Sequence, residues 1–208
     1  MPKATFFNLP EAKRARVIDA ALDEFAANSY HKARVTAIAE KAGIAMGSFY
    51  QYFTDKKDLF KYIVDLTVNK KLEYINHDMM ANKEKYGFFQ LLREIYLSGI
   101  RFAQENPRLV AIGNALLTDK ELQQEIWGEY QDTSSAFFQQ LLEVGLANGE
   151  LDPQMDSALV AKFLTSLTYS LTDIIYKDGE IDLADLESEM VTIDKMLYFI
   201  ENGIKKRD

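Results

Sequence analysis

Apolar side chains recur along this chain at intervals of three and four residues, the period of helices with one buried face. Val17, Ile18, Ala21, Leu22 and Phe25 place a helix from Pro10, suited to a first turn, to about Asn28, where Asn tolerates the left-handed conformation that ends a helix. A helix starts near Arg34, and a long one covers about residues 56–80 with Leu59, Phe60, Ile63, Leu66 and Val68. After a break at residues 81–87 the same spacing predicts helices over about 88–106, 107–117, 120–148, 156–177 and 183–204, punctuated by Pro107 and Gly149. No stretch of any length alternates with the period of two that a strand needs, so the chain reads as all-α. Residues 1–8 read as a short, poorly ordered arm.

Within this pattern residues 35–59 stand apart. Ile38, Ala39 and Ala42 form one apolar face, Gly43 breaks it, and Ile44, Phe49, Tyr52 and Phe53 resume it at a new angle. Two short helices crossing through a tight turn need a small residue where their axes approach, here Ala39, and one that tolerates positive φ, here Gly43. With Ile44, Phe49 and Tyr52 turned inward, Ala45, Met46, Gly47, Ser48 and Gln51 face outward, a surface of the size and polarity that enters a DNA major groove. Taken alone, Ala-x-x-x-Gly fits an ordinary pair of core helices better.

The match continues beyond the turn. Gly47, Ser48, Phe49, Tyr50, Gln51, Tyr52 and Phe53, followed by Lys56, Lys57 and Leu59, carry an ungapped G-x-x-Y-x-Y-F-x-x-K and resemble the signature of the TetR family of bacterial transcriptional repressors over about residues 10–60. The resemblance implies a three-helix helix-turn-helix DNA-binding domain, residues 1–55, joined by the helix of residues 56–80 to a helical-bundle domain, 56–208, that binds an effector and dimerises. It implies DNA contacts by Arg34, Thr36, Ala45, Met46, Gly47, Ser48, Tyr50, Gln51, Tyr52 and Lys56. Of these, Tyr50, Tyr52 and Lys56 match the family's backbone contacts, which set register, and Gln51 can pair bidentately with adenine. Three places depart from the family pattern: Asn28-Ser29 replaces a glycine before an aromatic residue, Arg34 a capping Thr or Ser, and Met46 a frequent Lys.

A small-molecule effector among the C-terminal helices is also implied, and Tyr96, Phe102, Trp127, Tyr130, Phe137, Tyr169 and Asp173 are the aromatic and acidic residues placed to line its cavity; the same stripe would serve as solid core. The heptad-like stripe Leu183, Leu186, Met190, Ile193, Leu197, Ile200 and Ile204 describes a helix packed lengthwise on others. Because helix-turn-helix proteins bind symmetric half-sites as dimers, residues 156–177 and 183–204 are the expected homodimer interface on a palindromic double-stranded operator.

Charge sharpens this picture. The chain carries a net −8, yet residues 1–61 hold ten Lys/Arg against seven Asp/Glu, a net of +3, and the remainder fourteen against twenty-five, a net of −11. Only the first segment suits a polyanion. The absence of Cys, of an apolar leader and of any run long enough to span a membrane points to a soluble cytoplasmic protein with no membrane partner. His31 and His77 are far apart and outside any metal-spaced cluster, and no Gly-rich phosphate loop or G-x-S-x-G is present, so neither an enzyme nor a cofactor is expected. The function that follows is a ligand-responsive, sequence-specific transcriptional regulator, a repressor released from its operator by a small molecule. The alternative is a helical sensor or carrier that does not bind DNA, supported by Arg34, Met46 and the acidic balance.

Overall fold

Gly43 turns the chain between the two short helices of the motif at φ 66° and ψ 41°. Its N–H donates to Glu40 O (3.1 Å) and that of Ile44 to Ala39 O (3.0 Å), the paired bonds that close a helix through a left-handed residue. A Cβ at this position would meet nothing within 4 Å, so backbone conformation and not space calls for glycine. In the computed structural model, which describes residues 1–175 and 186–204, these helices are α3 (Val35–Ala42) and α4 (Met46–Tyr52). They follow α1 (Ala4–Phe7) and α2 (Glu11–Ala27) and precede α5 (Lys56–Leu72), α6 (His77–Ala81), α7 (Phe88–Glu105), α8 (Pro107–Thr118), α9 (Lys120–Ala147), α10 (Ser157–Ile175) and α11 (Leu186–Ile204). No strand occurs among the described residues, and the chain is all-α.

Packing divides the chain into two compact units: residues 1–72 with 106–123, and residues 73–105 with 124–208. In the first, α2 packs against α3, α5 and α8 through Val17, Ala20, Ala21 and Phe25. Phe49 and Phe53 join the same interior from the α4 side, and Leu59, Phe60 and Ile63 from α5. Helix α8 opens on Pro107 at its first turn and buries Ile112 and Leu116. Arg108 Nη1 fastens one end of α8 to Asp19 (2.8 Å) and Asp23 (2.5 Å) of α2, and Asp119 just past its other end meets His31 Nε2 at 2.7 Å.

Three expectations change here. The arm is folded: Phe6 is fully buried, with its ring 4.8 Å from that of Phe53 and 5.4 Å from that of Tyr62, and α1 packs on α4. Asn28 is extended (φ −132°, ψ 142°), so α2 ends without a left-handed residue. The helix expected over 56–80 stops at Leu72, because residues 69–72 are exposed and gain no core contact from continuing, while Asn76 accepts from Met79 N (3.0 Å) and starts α6 anew.

The second unit holds α6, α7, most of α9, α10 and α11 around Phe88, Leu91, Leu92, Leu141, Leu142, Leu164 and Ile193. Gly145 lets α9 approach closely, since a Cβ there would lie 2.8 Å from that of Phe88. Gly149, at φ 72°, leads into Glu150, whose Oε2 accepts from Phe88 N (2.9 Å) at the start of α7. The α11 stripe buries Ile193, Leu197 and Ile200 in this core, whereas Met190 is exposed and Leu183 lies outside the described residues. No helix of the described residues is long and apolar enough to cross a membrane.

Candidate nucleic-acid interface

Helix α4 separates two faces. Phe49 is fully buried, while Ala45, Met46, Gly47, Tyr50 and Gln51 are exposed and Ser48 is half-buried. Thr36, on the first turn of α3, and Arg34, just before it, are exposed as well. The structure thus brings seven of the ten residues expected at DNA, and Ser48 in part, onto accessible surface around the helix-turn-helix. Arg34 makes no side-chain cap to α3; its own N–H instead donates to Glu24 Oε1 (2.8 Å), so a carboxylate of α2 holds the entry to α3 and leaves the guanidinium outside.

The other two expected contacts sit differently. Tyr52 is 5% exposed, its ring near Phe6 with the Lys13 ammonium 5.9 Å above it. The Lys56 ammonium donates to the carbonyls of Tyr30 (2.7 Å), His31 (3.3 Å) and Ala33 (2.9 Å), so its three protons are engaged by the loop entering α3. Asp55 caps the start of α5, its side chain accepting from Asp58 N (2.8 Å).

The C-terminal end of α4 is closed by the N-terminal segment, which sequence reasoning missed. Phe49 O accepts from Phe53 N (2.9 Å) within the chain's own turn. Tyr50 O accepts from Lys3 Nζ (2.8 Å), Gln51 O from the Thr5 hydroxyl, and Tyr52 O from Lys3 N (2.8 Å). The signal was the Phe6-Phe7 pair, too apolar for a solvated arm.

Of the residues expected to line an effector cavity, Tyr96 and Phe137 belong to or pack against the core of the second unit, and Phe102 is buried beside Tyr74, ring centroids 5.6 Å apart. The Tyr96 hydroxyl is buried and has no hydrogen-bond partner among the described residues; it faces Thr168, whose hydroxyl donates to Leu164 O (2.9 Å). Burial pushes this phenol up to about 12, so it stays protonated at neutral pH. The side chains of Trp127, Tyr130, Tyr169 and Asp173 lie outside the described residues. Exposed apolar side chains gather on the last two helices: Leu159 and Phe163 on α10, and Met190, Val191, Tyr198 and Phe199 on α11. Tyr198 and Phe199, off the heptad stripe, were not anticipated.

Residues 17–63 match the family model described as bacterial regulatory proteins, tetR family. A TetR family transcriptional regulator from Chloroflexus aurantiacus J-10-FL shares 35% identity over the whole of both chains at a TM-score of 0.70. The fatty acid metabolism regulator protein of Bacillus subtilis (strain 168) is 25% identical over 185 residues, covering 87% of this chain and 93% of its own. FadR from Bacillus subtilis in complex with stearoyl-CoA has the same fold at 22% identity and a TM-score of 0.68, over 90% of this chain and 96% of its own. A groove-sized helix face braced from behind, together with full-length similarity at 35% identity, establishes that this chain belongs to the TetR family and is a DNA-binding transcriptional regulator, not an enzyme.

Proposed function

We propose that Ala45, Met46, Gly47, Ser48 and Gln51 on α4, with Thr36 on α3, read base edges in the major groove, while Arg34 and Tyr50 hold phosphates. Tyr52 and Lys56 act from behind, setting the angle at which this face meets the duplex. The observation that carries the reading is the contrast within one helix: Gln51 and Met46 stand in solvent while Phe49 and Tyr52, one face away, are buried. By role the chain divides into a DNA-binding part, 1–55, and an effector and dimerisation part, 56–208.

The protein works as a homodimer through residues 156–177 and 183–204. Leu159, Phe163, Tyr198 and Phe199, each more than half exposed, supply the apolar surface that a second copy would cover. Two heads then fit half-sites of a palindrome spaced by one helical turn, about 34–36 Å. A small molecule among the helices of the second unit, in reach of Tyr96, alters the separation of the heads and lowers operator affinity, so the protein represses until the effector arrives. The stearoyl-CoA bound to FadR makes a long-chain acyl-CoA the first effector to try.

Selection from a random duplex pool, followed by electrophoretic retardation, tests this. A palindrome should be enriched, its affinity should fall steeply with salt, and Gln51→Ala should relax preference at one base pair of each half-site. Absence of retardation on any duplex at low salt would remove the reading.

A further inference from the structure

The last four carbonyls of a helix have no partner within it, and in a helix as short as α4 they are most of its acceptors. Here three of the four are satisfied by residues 46 to 49 positions away in sequence: Tyr50 O by Lys3 Nζ, Gln51 O by the Thr5 hydroxyl and Tyr52 O by Lys3 N. Phe6, buried between Phe53 and Tyr62, anchors the segment that supplies them, and Pro2 is buried as well.

We propose that Lys3 and Thr5 are positioning residues for DNA recognition, closing the C-terminal turn of α4 so that Gln51 is presented in one orientation. The proposal rests on α4 being the groove-reading helix. A seven-residue helix is marginal by itself. Any fraction of the free protein with that turn frayed still meets phosphates but does not present Gln51 to its base pair, so the apparent affinity for the selected site alone falls by that fraction. In a dimer the loss enters once per head. The ordinary role for a lysine near DNA, a phosphate contact, differs in kind: it would lower affinity for all sequences alike and reduce the salt slope by about 0.9 per contact.

The test uses the full chain carrying Thr5→Val, which keeps the volume and removes the donor, with Thr5→Ser as the conservative variant and Lys3→Gln beside them. Amide hydrogen exchange of residues 49–53 in the free protein needs no DNA, so this arm judges the brace even if α4 does not read the groove. Exchange there should be faster in Thr5→Val, leave α2 and α7 unchanged, and return to wild type in Thr5→Ser. On the duplex selected by the wild-type protein, Thr5→Val should bind more weakly by about threefold to tenfold for each head, the size of one lost hydrogen bond, with the salt slope and random-duplex affinity unchanged. Unaltered exchange in Thr5→Val, equal losses on selected and random duplexes, or a reduced salt slope in Lys3→Gln would overturn the proposal.

Discussion

The Lys56 ammonium lies 4.6 Å from the centroid of the Tyr30 ring and is directed at carbonyls of the same loop, which makes this side chain the pin between the start of α5 and the entry to α3. Replacing it with Met keeps the stem and removes the charge. Lys56→Met should lower stability by at least about 2 kcal/mol, since even one hydrogen bond from a charged donor is worth about 1.5–3 kcal/mol net. Urea denaturation measures this. A phosphate-contact role predicts a different result: unchanged stability and a shallower salt slope.

Phe6 tests whether the N-terminal segment belongs to the core. Its complete burial against Tyr52, Phe53 and Tyr62 predicts that Phe6→Ala costs about 3–5 kcal/mol, as deletion of a buried aromatic ring does. A loss under about 1 kcal/mol would mean that the segment contributes little.

Asp23 joins three helices of the first unit, since Lys41 of α3 and Arg108 of α8 both bond its carboxylate. The Lys41 hydrogen bond first, and that of Arg108 next, hold its pKa below the ordinary carboxylate value. A lowered folded pKa means that the stabilisation is complete above the unfolded value, about 3.9, and is lost as pH falls through the lower folded value. The urea midpoint of the wild type should therefore decline across this acid window, and Asp23→Asn should start lower at pH 7 and decline less. Parallel profiles would show that other carboxylates carry the acid sensitivity.

Tyr96 tests whether the proposed effector meets a buried phenol of the second unit. Its hydroxyl has no hydrogen-bond partner among the described residues, and a buried hydroxyl left unsatisfied costs about 1–3 kcal/mol, so Tyr96→Phe should raise stability by about 1 kcal/mol. If the proposed effector accepts a bond from this phenol, the same variant should need a higher effector concentration for release from DNA. Stabilisation with an unchanged release curve would place the effector elsewhere.

The helix-turn-helix was legible because its signals are local. The helical period put Phe49 inside and Gln51 outside, and Gly43 marked the turn, all within one short stretch whose neighbours are close in sequence. The same logic located α7 through α11 to within a few residues. It also read the α11 stripe of Ile193, Leu197 and Ile200 as a packed face and gave that helix to a homodimer interface; the structure buries these three in the core of the second unit and leaves Tyr198 and Phe199 of the same helix exposed.

What only the tertiary structure decided are the pairings between distant segments. Lys3 and Thr5 meet α4, Lys56 meets the loop at Tyr30, and Arg108 fastens α8 to the α2 carboxylates, so that a helix beginning at residue 107 joins the unit that contains the DNA-binding motif. Periodicity says which side of a helix is apolar but not which partner covers it, and a lone lysine has the same local signature whether it meets a phosphate or a carbonyl. Those assignments depend on where the folded backbone places unsatisfied acceptors, and that placement exists only once the helices have packed.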